Sequence, residues 1–319
     1  MNKHLIYRTT LFFMTMAVAS FLQAGQEIPD YPVDKVSEHV WVIHGPTEFP
    51  NKKNQGFMNN PAIIVTDVGV VIIDPGSSVY SGRMVLRQVK KLTDKPVTHV
   101  FNSHIHGDHW LGNHAIKEAY PEARIYAHPI MIEQAKTGVG EEWVKMMDSL
   151  TEGATRGTKA VIPANALSNG QEVKVGNLTF RSHLTDHAHT KTDLMVQIVE
   201  ERLLITGDNV MFKRVGRMDD GNFRGNIKAC EYALSLDTKT YVPGHGPSGG
   251  KEIVEPYCNL LKTLYSEAGK GVEEGLSDFE IKPKVVEILA NYNDWPGFEG
   301  EIGRFVSLAV LEYEQAAFE

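Results

Sequence analysis

The stretch NSHIHGDHW, residues 102–110, places three imidazoles and one carboxylate within six consecutive positions, directly after the strand-like run PVTHVF. A chain can crowd such groups only where a strand gives way to a loop. In an extended loop side chains alternate, so His104 and His106 share one direction, while Gly107 frees Asp108 and His109 to turn to another. One short loop can then feed two neighbouring metal ions. Imidazole and carboxylate are the usual zinc ligands, and a catalytic zinc takes three protein ligands and keeps a position open for water.

Three further stretches present the same residue types beside strands: DHAHT at 186–190, ITGDNV at 205–210 and PGHG at 243–246. HVWVIHG, AIIVTDVGVVIIDPG and VTHVFNSH read as β-branched strands broken by Gly, Asp and Pro. SSVYSGRMVLRQVKKLTD has helical spacing, with Ser77 or Ser78 as its cap. A helix from about Ile130 to Leu150 follows, then the strand series QEVKVGNLTFRSHL, TDLMVQIV and RLLITGD, a helix around IKACEYALSL, and the strand TKTYVPGHG. From Glu252 the chain reads as helical almost to Glu319, with breaks at GLSD and DWPGFEG. The loop EFPNKKNQGFMNN at 48–60 has little periodicity and is expected to be exposed and mobile.

These motifs, in this order over about residues 39–250, resemble the metallo-β-lactamase superfamily, whose hallmark is His-x-His-x-Asp-His after a strand. The resemblance implies an α/β fold, the αβ/βα four-layer sandwich, with two Zn2+ at the edge of its sheets. Carried over by motif, His104, His106 and His189 hold the first zinc, Asp108, His109 and His245 the second, and Asp208 bridges the pair or belongs to the second. His189 is preferred to His187 and His183 because it sits in HTKTD, just before the next strand. His44, His99, His114 and His128 are read as core or surface residues.

The implied chemistry is hydrolysis of a small acyl substrate by water that zinc makes nucleophilic, since zinc lowers the pKa of its water to about 7. Asp108, both ligand and carboxylate, is expected to orient that water and pass a proton. A β-lactam amide is the first reading of the substrate. The 48–60 loop, with Phe49 and Phe57, resembles the substrate flap of lactamases, and Asn222 in GNFRGN falls where related lactamases carry an oxyanion-side asparagine. Asp208 stands where broad lactamases commonly have Cys, and Met211 where they have a lysine that grips the drug carboxylate. Lys213 is therefore the expected replacement, with Arg214 and Arg217 as alternatives. GDNV and HGDH look more like glyoxalase II and lactonases, so a lactonase or thioesterase-like hydrolase is the alternative. A redox member using iron is the remoter one, because carboxylate and imidazole also suit iron.

Composition bounds the rest. A formal charge of −8 and the lack of a long Lys/Arg block exclude a nucleic-acid partner from the expectations. The first residues carry Lys3 and Arg8, an apolar run from Leu11 to Leu22 and small or polar residues ending at Ala24, the form of a secretory signal peptide and too short for a stable membrane anchor. The expected organisation is a signal peptide at 1–24, a catalytic domain at 25–269 and a helical extension at 270–319 packed on the same domain, in a periplasmic or secreted protein. Cys230 and Cys258 fall in helices, where either a disulfide or two buried thiols fits.

Overall fold

A computed structural model describes residues 27–318. The signal segment expected at 1–24 lies outside them. Strands β1 (Asp34–Lys35), β2 (Val40–Val42), β3 (Ala62–Val65), β4 (Val70–Ile73), β5 (Val97–Phe101), β6 (Arg124–Ala127) and β7 (Asn165–Ala166) form one sheet in that spatial order. Strands β8 (Glu172–Val175), β9 (Leu178–Leu184), β10 (Leu194–Ile198), β11 (Leu203–Met211) and β12 (Thr240–His245) form the second, in reverse order. The helices are α1 (Val79–Leu92), α2 (Gly107–Trp110), α3 (Asn113–Ala119), α4 (Pro129–Gln134), α5 (Gly140–Leu150), α6 (Phe223–Ser235), α7 (Lys251–Glu273), α8 (Asp278–Ile288) and α9 (Phe298–Ala316).

The layering follows from the alternation of apolar side chains along strands buried on both faces. Ile64, Val71, Ile73 and Phe101 point inward to meet Phe180, Leu194, Val196, Leu203 and Val242 of the other sheet. Their sequence neighbours Ile63, Val70, Ile72 and Val100 point outward against Val85 and Val89 of α1 and Ile116 of α3. On the second sheet Met195, Leu204 and Tyr241 point outward against α6 and α7. The four-layer αβ/βα sandwich is thus present.

Ser78 caps α1 as expected, in a reciprocal pairing with Ser81. The helix expected over 130–150 is interrupted at Ala135–Val139, where Gly138 takes φ +112° and splits it into α4 and α5. Helices α7, α8 and α9 break where GLSD and DWPGFEG predicted. Ile281, Val285, Phe298, Phe305 and Val306 of the C-terminal helices lie in one apolar cluster with Leu260, Leu261 and Leu264 of α7, so residues 270–318 complete the core over the second sheet. Cys230 and Cys258 are free, buried thiols in α6 and α7.

The loop at 48–60 departs from expectation in its second half, while Glu48, Phe49, Lys52 and Lys53 are exposed as expected. Asn54 to Asn60 are buried, with Phe57 fully so. Its polar side chains bind inward: Asn59 Nδ2 donates to Asp74 O (2.9 Å), and Asn60 Nδ2 donates to Pro243 O (2.8 Å) and Gly246 O (2.7 Å). Asparagines read from sequence as solvated loop residues therefore tie together the ends of β4 and β12.

β4 and β5 run parallel, as do β11 and β12, so their carboxyl ends open on the same edge of the molecule. Gly207, with φ +52°, brings β11 against the β5 loop: a Cβ there would lie 2.7 Å from Ser103 Cβ. Gly207→Ala should therefore destabilise the fold by about 1–3 kcal/mol, from left-handed strain plus the clash. A thermal melt several degrees below the parent's is expected, and an unchanged melt would show that the close approach is not needed.

Candidate metal centre

Strands and the loops that follow them supply the centre. Asp74 directly follows β4, β5 runs into the loop of His104–His109, the β9–β10 connection carries His189, and β11 and β12 contain Asp208 and His245. The seven residues expected as ligands fall together in triads: His104, His106 and His189 form one set, Asp108, His109 and His245 another, and His104, His109 and Asp208 a third between them. Within each triad the ligand atoms lie within 4.8 Å of one another.

Asp208 occupies the junction. Its Oδ1 is 3.2 Å from His109 Nε2, and its Oδ2 is 3.3 Å from His245 Nε2 and 3.5 Å from His189 Nε2. Asp108 Oδ2 is 3.4 Å from His109 Nε2 and 3.3 Å from His245 Nε2. All seven residues expected as ligands are thus gathered at one place.

The fit to cations shows in the unpaired atoms. His104 Nε2, His109 Nε2 and Asp208 Oδ1 are buried without a hydrogen-bond partner, although buried polar groups are normally paired. Burial drives His104 down, with the positive neighbour His109 adding to it, and drives His189 down to about 3. Both imidazoles are therefore neutral and able to donate a lone pair. Burial opposes ionisation of Asp108 and Asp208, but the adjacent His109 and His245 hold both carboxyls well below the usual range. Burial likewise disfavours charge on His109, yet Asp108, Asp208 and Asp74 together pull it well above the ordinary imidazole value. Such a surplus of buried negative charge is what a cation neutralises.

The outer partners fix which nitrogen faces inward. His109 Nδ1 lies 2.8 Å from Asp74 Oδ2, and Asp74 also accepts from Ser103 N (2.8 Å) and Ser103 Oγ (2.6 Å). His104 Nδ1 lies 2.9 Å from Ser103 Oγ, and His245 Nδ1 2.8 Å from Met58 O. His106 is turned the other way: Nε2 bonds Asp220 Oδ2 at 3.0 Å, and Nδ1 meets His189 Nε2 at 3.0 Å. Asp193 accepts from Thr190 N and Oγ1, 2.7 Å each, and ties down the loop behind His189. Partners of this kind orient metal-binding imidazoles and raise their basicity.

Asp74, Ser103 and Asp220 were not singled out from sequence. The only signal for Asp74 was its place at the end of an apolar strand in IIDPG, where it takes φ +54°. His187 stands outside the triads, its Nε2 2.8 Å from Asp220 O. The other two residues expected at the catalytic edge are placed elsewhere. Asn222 caps α6, its Oδ1 accepting from Gly225 N at 2.7 Å, and Lys213 extends over the Phe212 ring. Neither lines the cavity above the centre, because a helix cap and a turn with φ +54° direct them away. Arg214 does line it, with Nη1 2.8 Å from His245 Nδ1 and the guanidinium over the Phe49 ring.

The cavity holds about 560 Å³ and is lined at its base by His106, Asp108, His189, Asp208 and His245. Residues 55–245 match the metallo-beta-lactamase superfamily, more than half of the sequence. The chain belongs to that superfamily. Members of this superfamily are metal-dependent hydrolases. It is similar to the metallo-beta-lactamase type 2 of Bacillus cereus, 24% identical over 72% of this chain and 82% of that one. It is 32% identical to the linear primary-alkylsulfatase of a Pseudomonas strain, over 71% of this chain but only 50% of that protein. Among solved structures, a metallo-beta-lactamase from Pontibacter korlensis superposes with a TM-score of 0.59 at 19% identity, covering 72% of this chain and 98% of its own, a likeness of fold.

Two substitutions separate the roles. His187→Ala should leave metal content, measured by emission spectroscopy, as in the parent, whereas His189→Ala should lose one of two ions; the reverse pattern would exchange the two residues. Asp74→Asn should weaken retention of metal by about 10–100-fold against a competing chelator, and unchanged retention would reduce Asp74 to a purely structural group.

Proposed function

We propose that the chain is a dinuclear zinc hydrolase of small acyl substrates, esters, lactones or thioesters first, working outside the cytoplasm after removal of residues 1–24. The observation that carries this reading is Asp208, set between the two triads beneath an open cavity. Zinc ions held by the triads would supply an acidified water, with a pKa of about 7, and polarisation of the substrate carbonyl.

The residues divide the remaining work. Asp108 and Asp208 both line the cavity floor. Asp108 is held ionised by its histidines, so it is placed to accept a proton from the attacking water and return it to the departing group. His106 and His189 stand on the other side of the floor, fixed by Asp220 and by the Thr190–Asp193 turn. Asp108, Asp208 and His189 are buried, which strengthens their electrostatic contacts.

Opening of a β-lactam amide is the second reading, favoured by the match to two type 2 metallo-beta-lactamases over 82% and 93% of their lengths. It stands second because residues 54–60 of the loop are packed rather than free, Asn222 serves as a helix cap and Lys213 turns away. Of the features that pointed to a β-lactam, Phe49 and Arg214 line the cavity, whereas Phe57, Asn222 and Lys213 do not.

The test is turnover of a γ-lactone, a thioester, a phenyl ester, a penicillin, a cephalosporin and a carbapenem by the protein lacking residues 1–24, with zinc and after chelation. Chelator-sensitive turnover led by esters, lactones or thioesters is expected, with Asp108→Asn lower by about 10²–10⁴-fold. Turnover of the lactams alone would promote the second reading, and no turnover with zinc bound would remove both. For export, the intact mass of the protein recovered from an expressing cell's periplasm should lack the first 24 residues; a full-length mass would contradict it.

A further inference from the structure

The walls of the cavity are chemically unlike. On one side α5 presents Trp143, Met146 and Leu150, and the loop before β3 adds Phe49 and Pro50. Phe49, Met146 and Leu150 are exposed at 39%, 42% and 46%, three large apolar side chains left to water at one cavity mouth. Single exposed apolar side chains are ordinary, but several at the mouth of one cavity mark a surface that a ligand covers. Met58 and Met147, both buried, continue this wall toward the floor.

The opposite wall is polar and internally paired. Arg304 and Glu301 reach it from α9, and Asp219 bridges Arg304 and Arg217. These groups balance one another, so an apolar substituent has no welcome on that side. Arg214 differs. It is 3% exposed, its Nε has no partner, and the carboxylates nearest it in charge are Asp108 and Asp208. Those carboxylates face the triads, so ions held there would engage them and leave the guanidinium charge beside the floor uncompensated.

We propose that the cavity binds an anionic amphiphile, with a carboxylate- or sulfonate-like head on the Arg214 side of the floor and an apolar tail along α5. The proposal rests on the hydrolase reading only in taking this cavity as the substrate's. Tail length follows from the helix: Trp143 to Leu150 spans seven residues, about 10 Å at 1.5 Å per residue, the length of about eight extended carbons. A cavity of about 560 Å³ is in the range that encloses a molecule of that size. The natural substrate is then an ester or thioester that carries a medium-length or aromatic apolar group and a negative charge.

The test uses ligands that are not hydrolysed. Butane-, hexane- and octane-1-sulfonate, with octan-1-ol as the uncharged comparison, are titrated calorimetrically into the zinc-loaded protein. Affinity should rise about threefold to fourfold per added methylene, the value of a buried CH₂, and octanesulfonate should bind at least about tenfold tighter than octanol. The surface double variant Met146→Ser/Leu150→Ser should flatten the dependence on length while the melt stays at the parent value. No binding, no dependence on chain length, equal binding of the alcohol, or an unaltered slope in the double variant each overturns the proposal; concentration-dependent dimerisation that buries α5 would account for the first. Ester turnover by the same preparation separates the two readings. Turnover without a chain-length effect leaves the hydrolase and removes the amphiphile, and a chain-length effect without turnover of any ester, lactone or lactam does the converse.

Discussion

Two buried carboxylates, Asp108 and Asp208, converge on the same imidazole edges, and that convergence organises the molecule. Ionised carboxyls this deep are costly unless cations or donors face them. Here the facing groups are histidine nitrogens, some without any other partner. The scaffold exists in a form that holds these charges together: parallel strands end on one edge, Gly207 lets β11 approach the β5 loop, and Asn59 and Asn60 tie the ends of β4 and β12. The candidate centre and the fold therefore share the same constraint, since the loops that carry its residues are also the places where the two sheets are joined.

The residues of the two triads were legible because their spacing is local. His104, His106, Asp108 and His109 lie in one loop, and strand periodicity delivered His189, Asp208 and His245 to loop or strand ends. The four layers were legible too, because β3, β4 and β10 are apolar on both faces and can only sit between two partners. What escaped was whatever depends on distant pairing. Asp74 supports His109 from 35 residues away, and Asp220 supports His106 from 114 residues away; no spacing in the sequence links them.

The misplacements have physical reasons. Loop 48–60 is rich in Asn and Lys and lacks periodicity, so it reads as solvated, but Asn54, Asn59 and Asn60 spend their amide groups on internal backbone. Asn222 precedes an apolar helical run, and asparagine there is a strong helix cap. The local signal for a cap was present and outweighs the positional likeness to an oxyanion-side asparagine. Lys213 and Arg214 are neighbours in sequence, and only the positive φ at Lys213 decides that arginine rather than lysine turns into the cavity. The C-terminal helices, whose role the sequence left open, fill the core over the second sheet and also bring Glu301 and Arg304 to the cavity rim.

Asp208 would be shared by two ions held in the triads, and the most direct measurement of that sharing is anomalous diffraction at the zinc edge from crystals grown with zinc. Two peaks are expected, separated by roughly 3.5–4 Å, one within about 2.1 Å of nitrogens of His104, His106 and His189, the other beside Asp108, His109 and His245, with Asp208 touching both. A single peak, or a pair that leaves Asp208 unligated, would contradict it.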